Sequence, residues 1–168
     1  MKKLFPVLMA AISMAAMMSC TDYDERSVVV SKEHFRLYVL QNSDTIWSAP
    51  VGVGLNYGNK QAEGDKRTPE GVFEIISIER ASDWTHDFGD GAGEREGAYG
   101  DWFIRLEVPD VTGIGIHGTC FPESIGTRCT EGCIRLENND LKKFRRMVRP
   151  GVFCTIEADP VPDSLSVL

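Results

Sequence analysis

Short apolar blocks, each broken by a polar turn, run along most of the chain, and one block carries a helical spacing. The stretch SVVVSKEHFRLYVLQNSDTIWSAPVGVG, residues 27–54, is rich in β-branched and aromatic residues and is interrupted at QNSD. It predicts two or three strands with a turn at the break. GNKQAEGDKRTPEG reads as a loop, VFEIISIER as a strand, and ASDWTHDFGDGAGEREGAYGD as a long acidic, glycine-rich loop. Loops of that length inside a domain usually carry function or are disordered. WFIRLEV, TGIGIHG and VFCTIEA read as further strands. In NNDLKKFRRMV, Leu141, Phe144, Met147 and Val148 form an apolar stripe, Asn138 or Asn139 is positioned to cap, and RPG stops the helix. The sum is a β-rich α+β domain with one main C-terminal helix.

A different pattern opens the chain. Lys2 and Lys3 precede an uncharged apolar run over residues 4–18. Fifteen residues fall short of the roughly 20 that a membrane-crossing helix needs. A basic start before such a run is the pattern of a secretory signal peptide. The run ends Met18-Ser19-Cys20, which resembles a bacterial lipobox, with Cys20 acylated as the new N-terminus. Cleavage after Ala16 is the alternative. Two or three acyl chains give stable anchoring where one is marginal. The expected organisation is a signal peptide over 1–19, an acidic tether over 20–26, one domain over 27–158, and a frayed tail over 159–168. Localisation then follows as the cell envelope, lipid-anchored.

Charge narrows the partners. The chain has 168 residues, 18 Lys and Arg against 25 Asp and Glu, and a formal net charge of −7. Such a domain has no overall attraction to nucleic acid or to anionic lipid. The basic cluster LKKFRRMVRP is interleaved with apolar residues and reads as a solvated helix face.

The richest chemistry lies in IHGTCFPESIGTRCTEGCIRL, which places His117, Cys120, Cys129 and Cys133 within seventeen positions. Structural zinc sites favour short Cys-x-x-Cys knuckles, and these spacings lack them, so no metal is expected. Export permits a disulfide, and Cys120 with Cys129 could close a short loop. Two small buried thiols are the equal alternative. Cys133 reads as a nucleophile: only a thiolate attacks carbonyls well, and activation needs a base nearby. His117, at the end of an apolar strand, is the candidate base. Gly132 suits a tight turn whose amides face a developing oxyanion.

IHGT, then SIG, then T-x-G-C-I-R-L, preceded by GDKRTPEGVFEI, resembles the L,D-transpeptidase catalytic domain of YkuD type over most of residues 27–158. That resemblance implies a mixed β-sandwich with small helices. It implies Cys133 as nucleophile, His117 as base, and the Gly118 carbonyl as the group that fixes the imidazole tautomer. Gly132 and Thr130 would shape the nucleophile turn. Arg135, Glu131 and Thr119 would contact substrate, and neither cofactor nor metal would be required. One position departs, because the family usually has histidine where Glu131 stands. A carboxylate there either opposes thiolate formation or accepts a hydrogen bond from an acceptor's ammonium group.

The implied partners are peptidoglycan stem peptides, handled by a monomer anchored to the membrane through Cys20. The expected reaction is L,D-transpeptidation through a thioester. An L,D-carboxypeptidase or wall-linkage hydrolase of the same chemistry is the alternative. A wall-binding lipoprotein with impaired catalysis is the third reading.

Overall fold

The computed structural model describes residues 26–160. The signal segment, Cys20, most of the tether and residues 161–168 lie outside the described residues.

Three strands open the domain: β1 (Arg26–Ser31), β2 (Arg36–Gln41) and β3 (Asp44–Gly54). The turn at QNSD is real. Asn42 and Ser43 both take positive φ, at 51° and 71°, as a two-residue hairpin turn between twisted strands requires. Then come β4 (Gly71–Arg80), β5 (Thr85–Asp87), β6 (Glu94–Glu96), β7 (Trp102–Leu106) and β8 (Gly115–His117). A short 3-10 turn (Pro122–Ser124), β9 (Arg128–Thr130), β10 (Ile134–Leu136), helix α1 (Asn138–Phe144) and β11 (Phe153–Ile156) complete the chain.

Nine strands form one sheet in the order β10-β8-β7-β4-β11-β1-β2-β3-β9, and β10 also pairs with β3. That extra pairing, Arg135 with Gly52 and Leu136 with Val51, curls the sheet closed. The enclosed core follows from alternation along each strand. Val28, Val30, Leu37, Val39, Val51 and Val53 point inward from β1–β3, and Ile104, Ile116, Ile134 and Leu136 from β7, β8 and β10. Each such side chain contributes about 1.5–3 kcal/mol on burial. Cys154 belongs to this core, where burial pushes its thiol up to about 12.

The helical stripe packs as expected, with Leu141, Phe144 and Val148 buried and Met147 against the core. Its cap differs from the expected asparagines. Glu137 is the N-cap, its carboxylate accepting from the Asn139 and Asp140 amides, which frees Asn138 for another role. Asp159 is not frayed: its carboxylate accepts from Gly58 N at 2.6 Å, pairs with the buried Lys32 at 3.0 Å, and meets the Arg128 guanidinium. The long acidic segment is not all loop either, since β5 and β6 pair within it as a two-stranded hairpin.

Candidate active site

The alternation that buries the isoleucines sends their neighbours to the opposite face. On β7 these are Phe103 and Arg105, on β8 Gly115 and His117, and beside them Cys133, at the entrance to β10, and Arg135 on β10. The register sets Phe103 opposite His117, and Arg135 opposite His117 on the other side. The segment 81–101, with its hairpin, covers this face. Between floor and cover lies a cavity of about 300 Å³, lined among others by Lys60, His86, Tyr99, His117, Cys133 and Arg135.

Cys133 follows a turn that only glycine fits. Gly132 has φ of 140°, and a Cβ there would stand 2.8 Å from the Arg67 carbonyl. Thr130 braces the turn twice: its hydroxyl donates to the Cys133 carbonyl at 2.6 Å and accepts from the Gly132 amide at 3.2 Å. The Gly132 amide is therefore engaged in the resting site rather than vacant. The Cys133 thiol donates to the Gly113 carbonyl at 3.3 Å and receives the Gly115 amide. Gly115 leaves that backbone bare, because a Cβ there would sit 2.7 Å from the Ile104 carbonyl.

His117 is buried, with Phe103 stacked on it at 5.8 Å and the edge of Tyr99 at 4.9 Å. Its Nδ1 donates to the Gly118 carbonyl at 2.7 Å, since a carbonyl can only accept. That contact places the proton on Nδ1 and leaves Nε2 as a bare lone pair. Burial pulls the imidazole down to about 3, against the Gly118 contact, with Arg135 and His86 adding to the fall. Burial likewise pushes the Cys133 thiol up to about 11, while the Gly115 amide, Lys60, Arg135 and Arg105 oppose it. The pair thus rests as thiol and neutral imidazole.

Cations around the sulfur are themselves anchored. Arg105 forms a two-point pair with Glu79, at 2.7 and 2.9 Å, which draws Glu79 down to about 2. Arg135 is buried and donates to Ser124 Oγ at 3.0 Å. The Lys60 side chain is 4% exposed and pairs with Asp65 at 2.8 Å. Its ammonium also donates to the Glu131 carbonyl at 3.4 Å, against the nucleophile turn.

Of the residues expected from sequence, Cys133, His117, Thr130, Glu131 and Arg135 all line the cavity. Thr119 does not. It is buried, its hydroxyl accepts from the Phe121 amide, and its backbone exchanges two hydrogen bonds of 2.9 Å with the Asn138 amide group. Thr119 therefore fixes the loop after His117 and lies off the cavity lining. Cys120 and Cys129 are free thiols with no bridge between them. Among the described residues no cluster of His, Cys, Asp or Glu is suited to a metal ion. Sequence reasoning missed Lys60, His86, Tyr99, Phe103 and Arg105. Only the alternation of WFIRL about its buried Ile104 could have signalled the last two.

Residues 25–161 match the model of the L,D-transpeptidase catalytic domain, YkuD. The chain belongs to the YkuD family of L,D-transpeptidase catalytic domains. The probable L,D-transpeptidase YcfS of Escherichia coli (strain K12) is 28% identical over 163 residues, covering 83% of this chain and 46% of that protein. A Bacillus subtilis (strain 168) protein assigned to the L,D-transpeptidases and named YkuD is 32% identical over 90 residues, 54% of this chain and 45% of that protein. The chain thus spans about half the length of the curated relatives it matches. Among solved structures, the YkuD fold here is similar to an L,D-transpeptidase from Mycobacterium smegmatis (TM-score 0.61, 17% identity, 80% of this chain and 59% of that one). It is also similar to the E. faecium L,D-transpeptidase catalytic domain (TM-score 0.57, 20% identity, 79% of this chain and 97% of that one).

Proposed function

We propose that this chain is a cysteine-dependent L,D-transpeptidase that acts on peptidoglycan stem peptides through a thioester on Cys133. The observation that carries this reading is the shared cavity of Cys133 and His117, with His117 Nδ1 held by the Gly118 carbonyl. That bond leaves Nε2 as the base. Because thiol and imidazole rest neutral, the proton moves as the substrate carbonyl arrives. His117 Nε2 takes the Cys133 proton, and sulfur attacks the carbonyl carbon at the L-centre of the third stem residue. The oxyanion develops beside the nucleophile turn, where the Lys60 ammonium supplies positive charge and the Gly132 amide can join only by leaving Thr130. Collapse expels the terminal D-alanine, whose amine takes the proton from His117. An amine of a neighbouring stem then resolves the thioester.

An L,D-transpeptidase 3 from Mycobacterium tuberculosis is solved in complex with a faropenem-derived adduct. A carbapenem should acylate Cys133 if the thioester reading holds. Product analysis of muropeptides tests the reaction. Cross-linked products sustain transpeptidation, shortened uncross-linked stems assign the chain to hydrolysis, and unchanged substrate removes catalysis altogether.

The anchor is part of the same reading. Acylation of Cys20 would hold the domain at the cell envelope, facing its wall substrate. The protein should fractionate with membranes, and Cys20→Ala should release it or block its maturation. A normally processed Cys20→Ala protein that stays on the membrane would refute the anchor.

A further inference from the structure

A second imidazole faces the nucleophile turn, and the mechanism above makes no use of it. His86 lies on β5 of the covering hairpin, forty-seven positions before Cys133, and it lines the same cavity. Its Nδ1 is 3.1 Å from the Tyr99 hydroxyl, and its Nε2 is 3.9 Å from Glu131 Oε2. The Tyr99 ring in turn packs edge-on against His117. Two imidazoles therefore flank one tyrosine, and they differ in their partners. His117 is buried and has a carbonyl on Nδ1. His86 is partly exposed, at 28%, and has a carboxylate opposite Nε2.

The gap between His86 and Glu131 has a chemical reading. Either atom of the Nδ1–Tyr99 pair can donate, and in the tautomer with Nδ1–H donating to the Tyr99 oxygen, Nε2 keeps its lone pair. Nε2 and the carboxylate are then two acceptors 3.9 Å apart, too far for a direct bond. A cationic N–H donor between them satisfies both. Glu131 already draws one such group, since the Lys66 ammonium stands 4.0 Å from Oε1. An imidazole held at one nitrogen, here Nδ1 by the Tyr99 hydroxyl, with its other nitrogen free toward the cavity, is the arrangement of a general base, and the Glu131 carboxylate across the gap draws a cation toward it. An amine acceptor needs one, because it arrives as an ammonium and cannot attack a thioester until it loses a proton.

We propose that His86, set across the cavity from Glu131, binds and deprotonates the ammonium group of a primary-amine acceptor, while His117 serves the sulfur. This inference rests on the thioester reading above. The steps balance as follows. His86 Nε2 takes one proton from the ammonium. The free amine attacks the thioester carbonyl, the C–S bond breaks, and a second amine proton passes through His117 to the departing sulfur. His86 then releases its proton to solvent, leaving an amide and a free thiol.

The test separates the two halves of the reaction in the full-length chain. Intact-mass spectrometry would follow acyl-enzyme formation with a tetrapeptide stem alone, and then its decay on adding a primary-amine stem. His86→Gln should form the acyl-enzyme within about 3-fold of the wild-type rate and slow amine-dependent decay by about 10²-fold. Glu131→Gln, at a residue exposed enough for folding not to be at stake, should slow that decay by about 10-fold. Both variants should shift products from amine transfer toward hydrolysis. If His86→Gln decays at the wild-type rate with amine present, the assignment to His86 is overturned. Equal slowing of formation and decay would overturn it too, by making His86 a mere strut of the hairpin. If the wild type forms no acyl-enzyme at all, the thioester reading itself fails, and that result is distinct from the other two.

Discussion

On the floor of the cavity every functional side chain alternates with a buried apolar one. His117 follows Ile116 on β8, and Cys133, just before β10, and Arg135 on it flank Ile134, in or beside strands closed into one sheet. On the covering segment the functional groups stand on a three-residue strand and the loops beside it. His86 and Phe88 are held mainly by ring contacts, to Tyr99 and to Phe121. The floor is fixed by the domain core, and moving it costs core packing. The cover is fixed by a few edge contacts and can shift at little cost to folding. This contrast assigns the chemistry of the sulfur to the floor and the handling of substrate and acceptor to the cover.

Substitutions can break that contrast. The largest effect is expected at the floor. His117→Ala should lower the rate by about 10²–10⁴-fold while the domain stays folded by circular dichroism. More than a tenth of the activity remaining would deny the floor its chemical role. Gly115→Ala comes next, since its Cβ would press on Phe103 and the Ile104 carbonyl. Overpacking of this kind costs about 1–3 kcal/mol, measurable by urea unfolding, and activity should fall with it. Phe88→Ala should act on the cover alone. KM should rise several-fold with kcat nearly kept and stability changed by less than about 1 kcal/mol. A large loss of stability there would erase the distinction between the two regions.

How far the sequence exposed each region follows the same division. In TGIGIHG and GCIRL the isoleucines mark the core face, so Gly115, His117, Cys133 and Arg135 fall on the other face without any structure. The first three strands and the stripe of α1 were legible for the same reason. The hairpin was not, because THDFGDGAGEREG carries almost no apolar alternation. Its pairing is held instead by Thr85 with Glu94 and Arg95 with Asp90. Closure of the sheet through β3 and β10 joins residues more than eighty positions apart, which local pattern cannot show. The bracing of Thr119 within its loop was not legible either, because its backbone partner is the distant Asn138.

The smallest expected effect sharpens the electrostatics of the floor. Burial holds the thiol near 11, so thiolate grows only as pH rises through about 9 to 11. Iodoacetamide labelling of Cys133 should therefore accelerate across that range in the free protein. Lys60 favours the thiolate, so Lys60→Met should raise the thiol pKa further and slow labelling at pH 8 by a few-fold. Faster labelling in that variant would mean that Lys60 acts only as a brace for Asp65.

The central claim is that sulfur of Cys133 carries the acyl group. Intact-mass and peptide mapping after incubation with a tetrapeptide stem tests it most directly. The account predicts an acyl adduct on Cys133 in the wild type, trapped by acid quench, and none in Cys133→Ser. Stem turnover at a near-normal rate by Cys133→Ser, or an adduct mapped to Cys120 or Cys129, would contradict it.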